Sequence, residues 1–353
     1  ATTQSFVFND IAEEPVPSLL RDFSAPVILD FDYTPEQLTL LLAHESDAFN
    51  AWEAGQRLAS TLILDAAAAI AAGQAPVWPA SFVDAARRLL QTQTQRGAAF
   101  VAEALTLPGE STLAEAMDVV DPDALHAARN ALRRHLAEQL EGEFAGLYAA
   151  LAPNAPYAPT SEQAGRRALR NLCLGYLTEL DTVESRHLAM QHFGQADNMT
   201  DQFAALSVLA NIIDDCPERQ EALDAFYGRW QHEALVVDKW LQVQSTSRRP
   251  DTLATVKALT AHPAFDIGNP NKIYALIRAF AANLARFNVA DGSGYAFIAD
   301  RILELHDRNP QVASRLARCF DRWKKFDAGR QAHARVALER VRDHAGLSRD
   351  VLE

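Results

Sequence analysis

Apolar residues recur three and four positions apart along most of this chain, and cap or breaker residues cut the runs into segments. The pattern is clearest between 291 and 326. Asp291 to Gly294 are turn residues, and Asn309-Pro310 is a helix start, since Asn caps well and Pro fits the first turn. On a 3.6-residue wheel Val312, Leu316, Cys319, Phe320 and Trp323 fall on one stripe, which predicts a helix packed against its neighbours. Gln311, Arg315, Arg318 and Arg322 form a second stripe beside it. Behind Asp121-Pro122, Leu132, Leu136, Leu140, Phe144 and Leu147 repeat at helical spacing and predict one long helix to about 151.

The same signals predict helices over 35–43, from the cap at Ser46-Asp47 to about 72, and over 81–105 and 112–120. After a loop at 154–159, Ser161 caps a helix carrying Leu169, Leu172, Cys173 and Tyr176. Others follow over 181–193, 200–213, 217–231, 235–244, 252–262, 271–287 and 328–345. Helices of this length on short connections point to antiparallel pairs stacked side by side. The fold class is therefore mainly α, an array resembling a HEAT or armadillo superhelix, although no strict repeat period is visible. The first thirty residues differ. Segments 4–8 and 24–31 are rich in Val, Ile and Phe, with Pro15, Pro17 and Pro26 between them, and read as two short strands. Two strands alone are marginal in water, so this β remnant is expected to belong to a larger sheet and the chain to be part of something longer.

Composition narrows the function classes. The 353 residues can bury a large core, and abundant Ala and Leu with little Gly or Pro favour helix. A net charge of −13 argues against nucleic acid or an anionic membrane as partner. No apolar run approaches the ~20 residues that span a bilayer; the longest candidate, 62–72, is short and Ala-rich. The opening ATTQSFVF has neither the basic nor the apolar part of a signal peptide. Cys173, Cys216 and Cys319 are far apart and in no CxxC spacing, as expected of free thiols in a reducing cytoplasm.

Searching for a reactive centre gives little. A zinc site on a helix needs His at i and i+4 around a Glu, but four residues after His44 and His232 stand Ala48 and Val236. His187 and His192 are five apart and share no face. Neither a phosphate loop nor a Gly-x-Ser-x-Gly elbow occurs. Tryptophans 52, 78, 230, 240 and 323 sit at helical apolar positions and read as core. The expectation is a chain without its own catalytic residues or metal. The arginine stripe stays open: a solvated basic face is the ordinary reading, an anionic or carbonyl-bearing partner the other. Arg315 lies near the positive end of its helix, where a cation gains nothing from the dipole.

The order EPVPSLLRDFSAPV (14–27), ADNMTD (196–201), DKW (238–240), NPNKIYALIRAF (269–280), DGSGY (291–295) and NPQVASRL (309–316) resembles the C-terminal part of the bacterial aminopeptidase N family, zinc alanyl aminopeptidases of the gluzincin group. The resemblance runs along essentially the whole chain. It implies that residues 1–31 are the last strands of a β-sandwich domain and 32–353 an α-helical superhelix, the C-terminal cap of a larger peptidase. The Gly-Ala-Met-Glu-Asn motif, the His-Glu-x-x-His motif and the one zinc ion belong to the catalytic domain of such a parent and are expected to lie outside this chain.

The resemblance also implies a role for Gln311 and Arg315: projecting into the cavity above the zinc and contacting peptide substrate on the primed side of the scissile bond. Arg318 and Arg322 keep the solvated reading. The family segment often reads Asn-Pro-Asn-Arg-x-Arg, where this chain has Lys272 and Tyr274. The implied partners are the catalytic and β-sandwich domains of the parent chain together with peptides, in the cytoplasm. The alternative is a free-standing helical-repeat protein that binds a protein partner.

Overall fold

A computed structural model describes residues 3–353. Helix follows helix along it, and the first starts at Pro35. Pro35–His44 begins with a capping box: the Thr34 hydroxyl accepts from the Gln37 amide while the Gln37 side chain accepts from Thr34. Asp47, Asp121, Thr160, Thr182, Asn198, Asn309 and Asp327 cap later helices through their side chains. Each such cap contributes about 1 kcal/mol and fixes where its helix begins.

Many helices pack on their sequence neighbours, while Ala48–Ala71 also packs on Pro122–Gln139 and Ala98–Ala104 packs on Ser161–Leu177. Pro35–His44 lies on Ala48–Ala71, Glu141–Ala150 on Ser161–Leu177, Val183–Gln195 on Met199–Ala210, and Met199–Ala210 on Pro217–Trp230. That is the stacked-pair array which the spacing predicts. The stack also returns on itself. Leu284–Phe287 touches Pro122–Gln139, and the Val120 amide donates to the Lys325 carbonyl at 2.7 Å. Arg330, 7% exposed, reaches the Asn288 carbonyl as well as Asp123 and Asp327. An open hollow lies where residues near 126 and 286 meet.

Several expected helices are broken. The 81–105 helix is three pieces, Ala80–Gln91, Gln93–Arg96 and Ala98–Ala104: the first break is at Thr92, where ψ is 11°, and the second at Gly97, whose φ of +91° only glycine adopts easily. The 122–151 helix divides into Pro122–Gln139 and Glu141–Ala150 at Leu140, whose φ of −123° leaves the helical range while its side chain stays fully buried. The 271–287 helix is α over Pro270–Ile273, a π turn over Tyr274–Arg278, then α again over Ala279–Ala281 before Asn283 caps Leu284–Phe287. The 310–326 helix is α only over Pro310–Ala317 and tightens to 3-10 turns over Arg318–Phe320 and Trp323–Lys325.

The strands expected at 4–8 and 24–31 form no ladder. Among the described residues the segment before Pro35 is extended chain with one short turn at Arg21–Phe23. Phe6, Val7, Phe8, Val27 and Ile28 are all at least 60% exposed. A strand is stabilised only by pairing with a neighbour, and the helical array offers no edge. Among the described residues no helix is long and apolar enough to cross a membrane.

Aromatic packing sets the last third. The Tyr295 hydroxyl donates to Asn288 Oδ1 at 2.9 Å, and the Phe287 ring stands edge-on to both Tyr295 and Phe320, at 5.2 and 5.7 Å. Ser293–Leu305 starts so close beneath Phe287 that a Cβ on Gly294 would lie 2.1 Å from the Phe287 carbonyl oxygen. Thus the DGSGY turn lets this aromatic cluster form, and Phe320 in turn fixes the segment that follows the arginine helix.

Candidate functional site

The Asn309 side chain accepts from the Val312 amide at 3.2 Å and opens Pro310–Ala317. Val312, Ala313, Leu316 and Phe320 are buried, as the apolar stripe predicts, with Cys319 and Trp323 half-buried beside them. Burying that face turns Gln311, Arg315 and Arg318 outward.

The outward arginines then separate by partner. Arg318 Nε lies 3.2 Å from Asp321 Oδ2, and Arg322 pairs with Glu115. Both are neutralised at the surface, where such pairs are worth about 0–1 kcal/mol. Arg315 has no carboxylate partner among the described residues. Its Nη1 donates instead to the Tyr274 hydroxyl at 3.1 Å. Tyr274 opens the π turn, an irregularity that proteins often place at functional sites.

Tyr274, Arg278, Arg315, Arg318 and Asp321 line an open groove of about 490 Å³. Gln311 stands one turn before Arg315, exposed and outside that lining. The structure therefore brings Arg315 into a concave site and leaves Gln311 at its approach. Arg278 is the residue that sequence reasoning missed. It is exposed, without ion-pair partner among the described residues, and faces the groove across from Arg315. As a lone cation in the apolar run IYALIRAF, it gives no pattern signal.

The two positions where the chain departs from Asn-Pro-Asn-Arg-x-Arg have different fates. Lys272 is buried, its Nζ 2.7 Å from Asp238 Oδ1 and 3.0 Å from the Ala234 carbonyl oxygen. It ties two helices together and takes no part in the groove. Tyr274 takes the hydrogen bond from Arg315 and shapes the groove wall. Burial, only partly offset by the Arg278 charge, pushes the thiol of nearby Cys319 up to about 11, which disfavours its thiolate.

The histidines that sequence spacing set aside are not gathered together. His44 Nε2 lies 2.7 Å from Arg88, His187 and His232 are exposed, and His192 is buried against the Tyr148 hydroxyl at 2.9 Å. Among the described residues no three His, Cys, Asp or Glu side chains converge as a metal site would require.

Comparison with known proteins places the chain. Residues 35–353 match the family model described as a domain of unknown function (DUF3458_C) with ARM repeats, and residues 1–32 match the one described as DUF3458 with an Ig-like fold. The chain is 40% identical to aminopeptidase N of Escherichia coli over 99% of its own length and 40% of that protein's. It is equally 40% identical to aminopeptidase N of Caulobacter vibrioides, over 98% of its length and again 40% of the relative's. It thus spans about two fifths of the curated relatives it matches. A crystal structure of Legionella pneumophila aminopeptidase A in complex with aspartic acid is similar at a TM-score of 0.86 and 32% identity, covering 98% of this chain and 41% of that one.

Proposed function

Because the chain belongs to the DUF3458_C family of ARM-repeat domains, the C-terminal helical domain of aminopeptidase N, we propose that it is the non-catalytic cap of a zinc aminopeptidase that removes N-terminal residues from peptides. In this reading the helical array closes over the catalytic cleft, admits peptides and excludes folded proteins. The zinc ion is held by the catalytic domain of the parent chain, as are the residues that activate water. Residues 1–31 complete a β-sandwich there, which would cover the apolar side chains left exposed on that segment. A cytoplasmic setting suits the three free thiols.

The observation that carries the proposal is the state of Arg315: exposed, without a carboxylate partner among the described residues, and held by the Tyr274 hydroxyl at the edge of a groove. An arginine so placed presents planar donors to a carbonyl or carboxylate. We assign it the primed side of a bound peptide, with Gln311 one turn earlier at the same approach. Enclosure of the cleft excludes water and holds substrate in place.

The direct test is to purify the 353-residue chain beside its full-length parent. The cap reading expects zinc well below one per chain and alanyl-anilide hydrolysis at background for the isolated chain, with both present in the parent. Stoichiometric zinc with turnover in the isolated chain would sink the proposal.

A further inference from the structure

Away from the groove, the open hollow beside the returning stack has a volume of about 480 Å³. Helices end at its wall. Thr178 follows Ser161–Leu177, Asn211 follows Met199–Ala210, and Thr246 follows Ala234–Ser245. Helix C-termini leave carbonyls without partners and carry partial negative charge, so cations collect there. Arg133 Nη2 donates to the Gly175 carbonyl at 2.9 Å, and Arg248 Nε donates to that of Asn211 at 2.9 Å. Arg129 Nε donates to the Pro108 carbonyl at 2.6 Å and Nη2 to that of Leu107 at 3.2 Å.

Capping the helices does not use these cations up. Glu179 is shared between Arg133 Nε at 3.0 Å and Arg248 Nη1 at 2.6 Å. Glu110 lies 2.6 Å from His126 Nδ1. Arg129 therefore has no carboxylate of its own, and the lining holds three arginines against two glutamates. Arg286 packs just behind, its Nη2 3.4 Å from His126 Nε2, and adds a further positive charge. Among the described residues Arg129 Nη1, Arg133 Nη1 and Arg248 Nη2 have no acceptor. Burial, reinforced by the neighbouring Arg133 charge and opposed by the smaller pull of Glu110 and Glu179, lowers the Arg129 guanidinium below its ordinary value. All this occurs in a chain of net charge −13.

We propose that this hollow is a binding site for a small anion bearing carboxylate or phosphate groups, with Arg129 as its principal charge. The free guanidinium N–H groups are the donors that such oxygens take best. Asn130 and Ser207 add neutral polar groups to the same wall. The volume exceeds that of an inorganic ion and suits a small organic anion.

Thermal unfolding of the 353-residue chain tests this, in sodium phosphate, sodium citrate or sodium chloride at matched pH and ionic strength. A ligand that binds only the folded state raises the melting temperature in a saturable way. The expected result is a saturable rise of a few degrees in phosphate, in citrate or in both, absent in chloride; which salt acts identifies the group recognised. Arg129→Gln should weaken the apparent affinity at least about tenfold. Since Arg129 also clips the 107–108 carbonyls, Asn130→Asp supplies the second variant: nearly isosteric, it sets a carboxylate in the hollow and should abolish the shift while the chain stays folded. Equal behaviour in all three salts, or a shift unchanged in Asn130→Asp, would overturn the proposal.

Discussion

Arg315 Nη1 donates to the Tyr274 hydroxyl at 3.1 Å across 41 residues of sequence, joining the arginine helix to the π turn. This bond orients a guanidinium that no carboxylate among the described residues holds. Tyr274→Phe should leave fold and stability within about 0.5 kcal/mol of the wild type, as for most surface changes. It should free the Arg315 side chain and raise KM for peptides a few-fold in the full-length enzyme, with kcat little altered. Urea unfolding and peptide kinetics together check this; a large loss of stability would make the pair structural.

Gly294 and Gly142 give opposite expectations for the same substitution. Gly294→Ala would drive a Cβ to 2.1 Å from the Phe287 carbonyl oxygen, which must move the aromatic cluster below the groove. Overpacking of this kind costs roughly 1–3 kcal/mol or more. Gly142 stands in Glu141–Ala150 with nothing within 4 Å of a new Cβ, so Gly142→Ala should stabilise by about 0.5–1 kcal/mol. Denaturant midpoints measured side by side decide it.

Burial, with a smaller contribution from the Arg170 charge, depresses His192 from 6.5 to about 4, against the opposing pull of Asp201. The unfolded chain therefore binds a proton below about 6.5 that the folded chain refuses until about 4. Stability from this site is complete above pH 6.5 and is lost as pH falls between those values, on the order of 3 kcal/mol in all. Replacing His192 by Gln should flatten the stability profile in that window relative to wild type. Parallel profiles for the two proteins would show that other groups set the acid response.

Much of this was legible in the residues because helical periodicity is a local signal. Asp47, Asp121 and Asn309 mark starts that the structure keeps. The apolar stripe from Val312 to Phe320 is largely buried; Arg318 and Arg322 are exposed as a solvated face implies, but each pairs with a carboxylate that the pattern did not show. What escaped depends on contacts distant in sequence. The helix breaks at Leu140 and within 310–326 fall at no proline or positive-φ glycine that the sequence could announce. Arg278 enters the groove through a π turn that no periodicity announces. The hollow around Arg129 arises only because residues near 126 and 286 meet across the returning stack. The 4–8 and 24–31 strands have strand-like composition but find no partner strand in the helical array.

The central claim rests on Arg315, and the most direct measurement is kcat/KM of the full-length enzyme with Arg315→Ala, on short peptides and on a small chromogenic amide. A hydrogen bond to a charged group is worth roughly 1.5–3 kcal/mol, which corresponds to a loss of about ten- to a hundredfold. The account predicts that loss on peptides, unchanged zinc content, little change on the chromogenic amide, which has no primed-side residue, and near-neutral behaviour for Arg318→Ala. Equal losses on both substrates, or none on either, would contradict it.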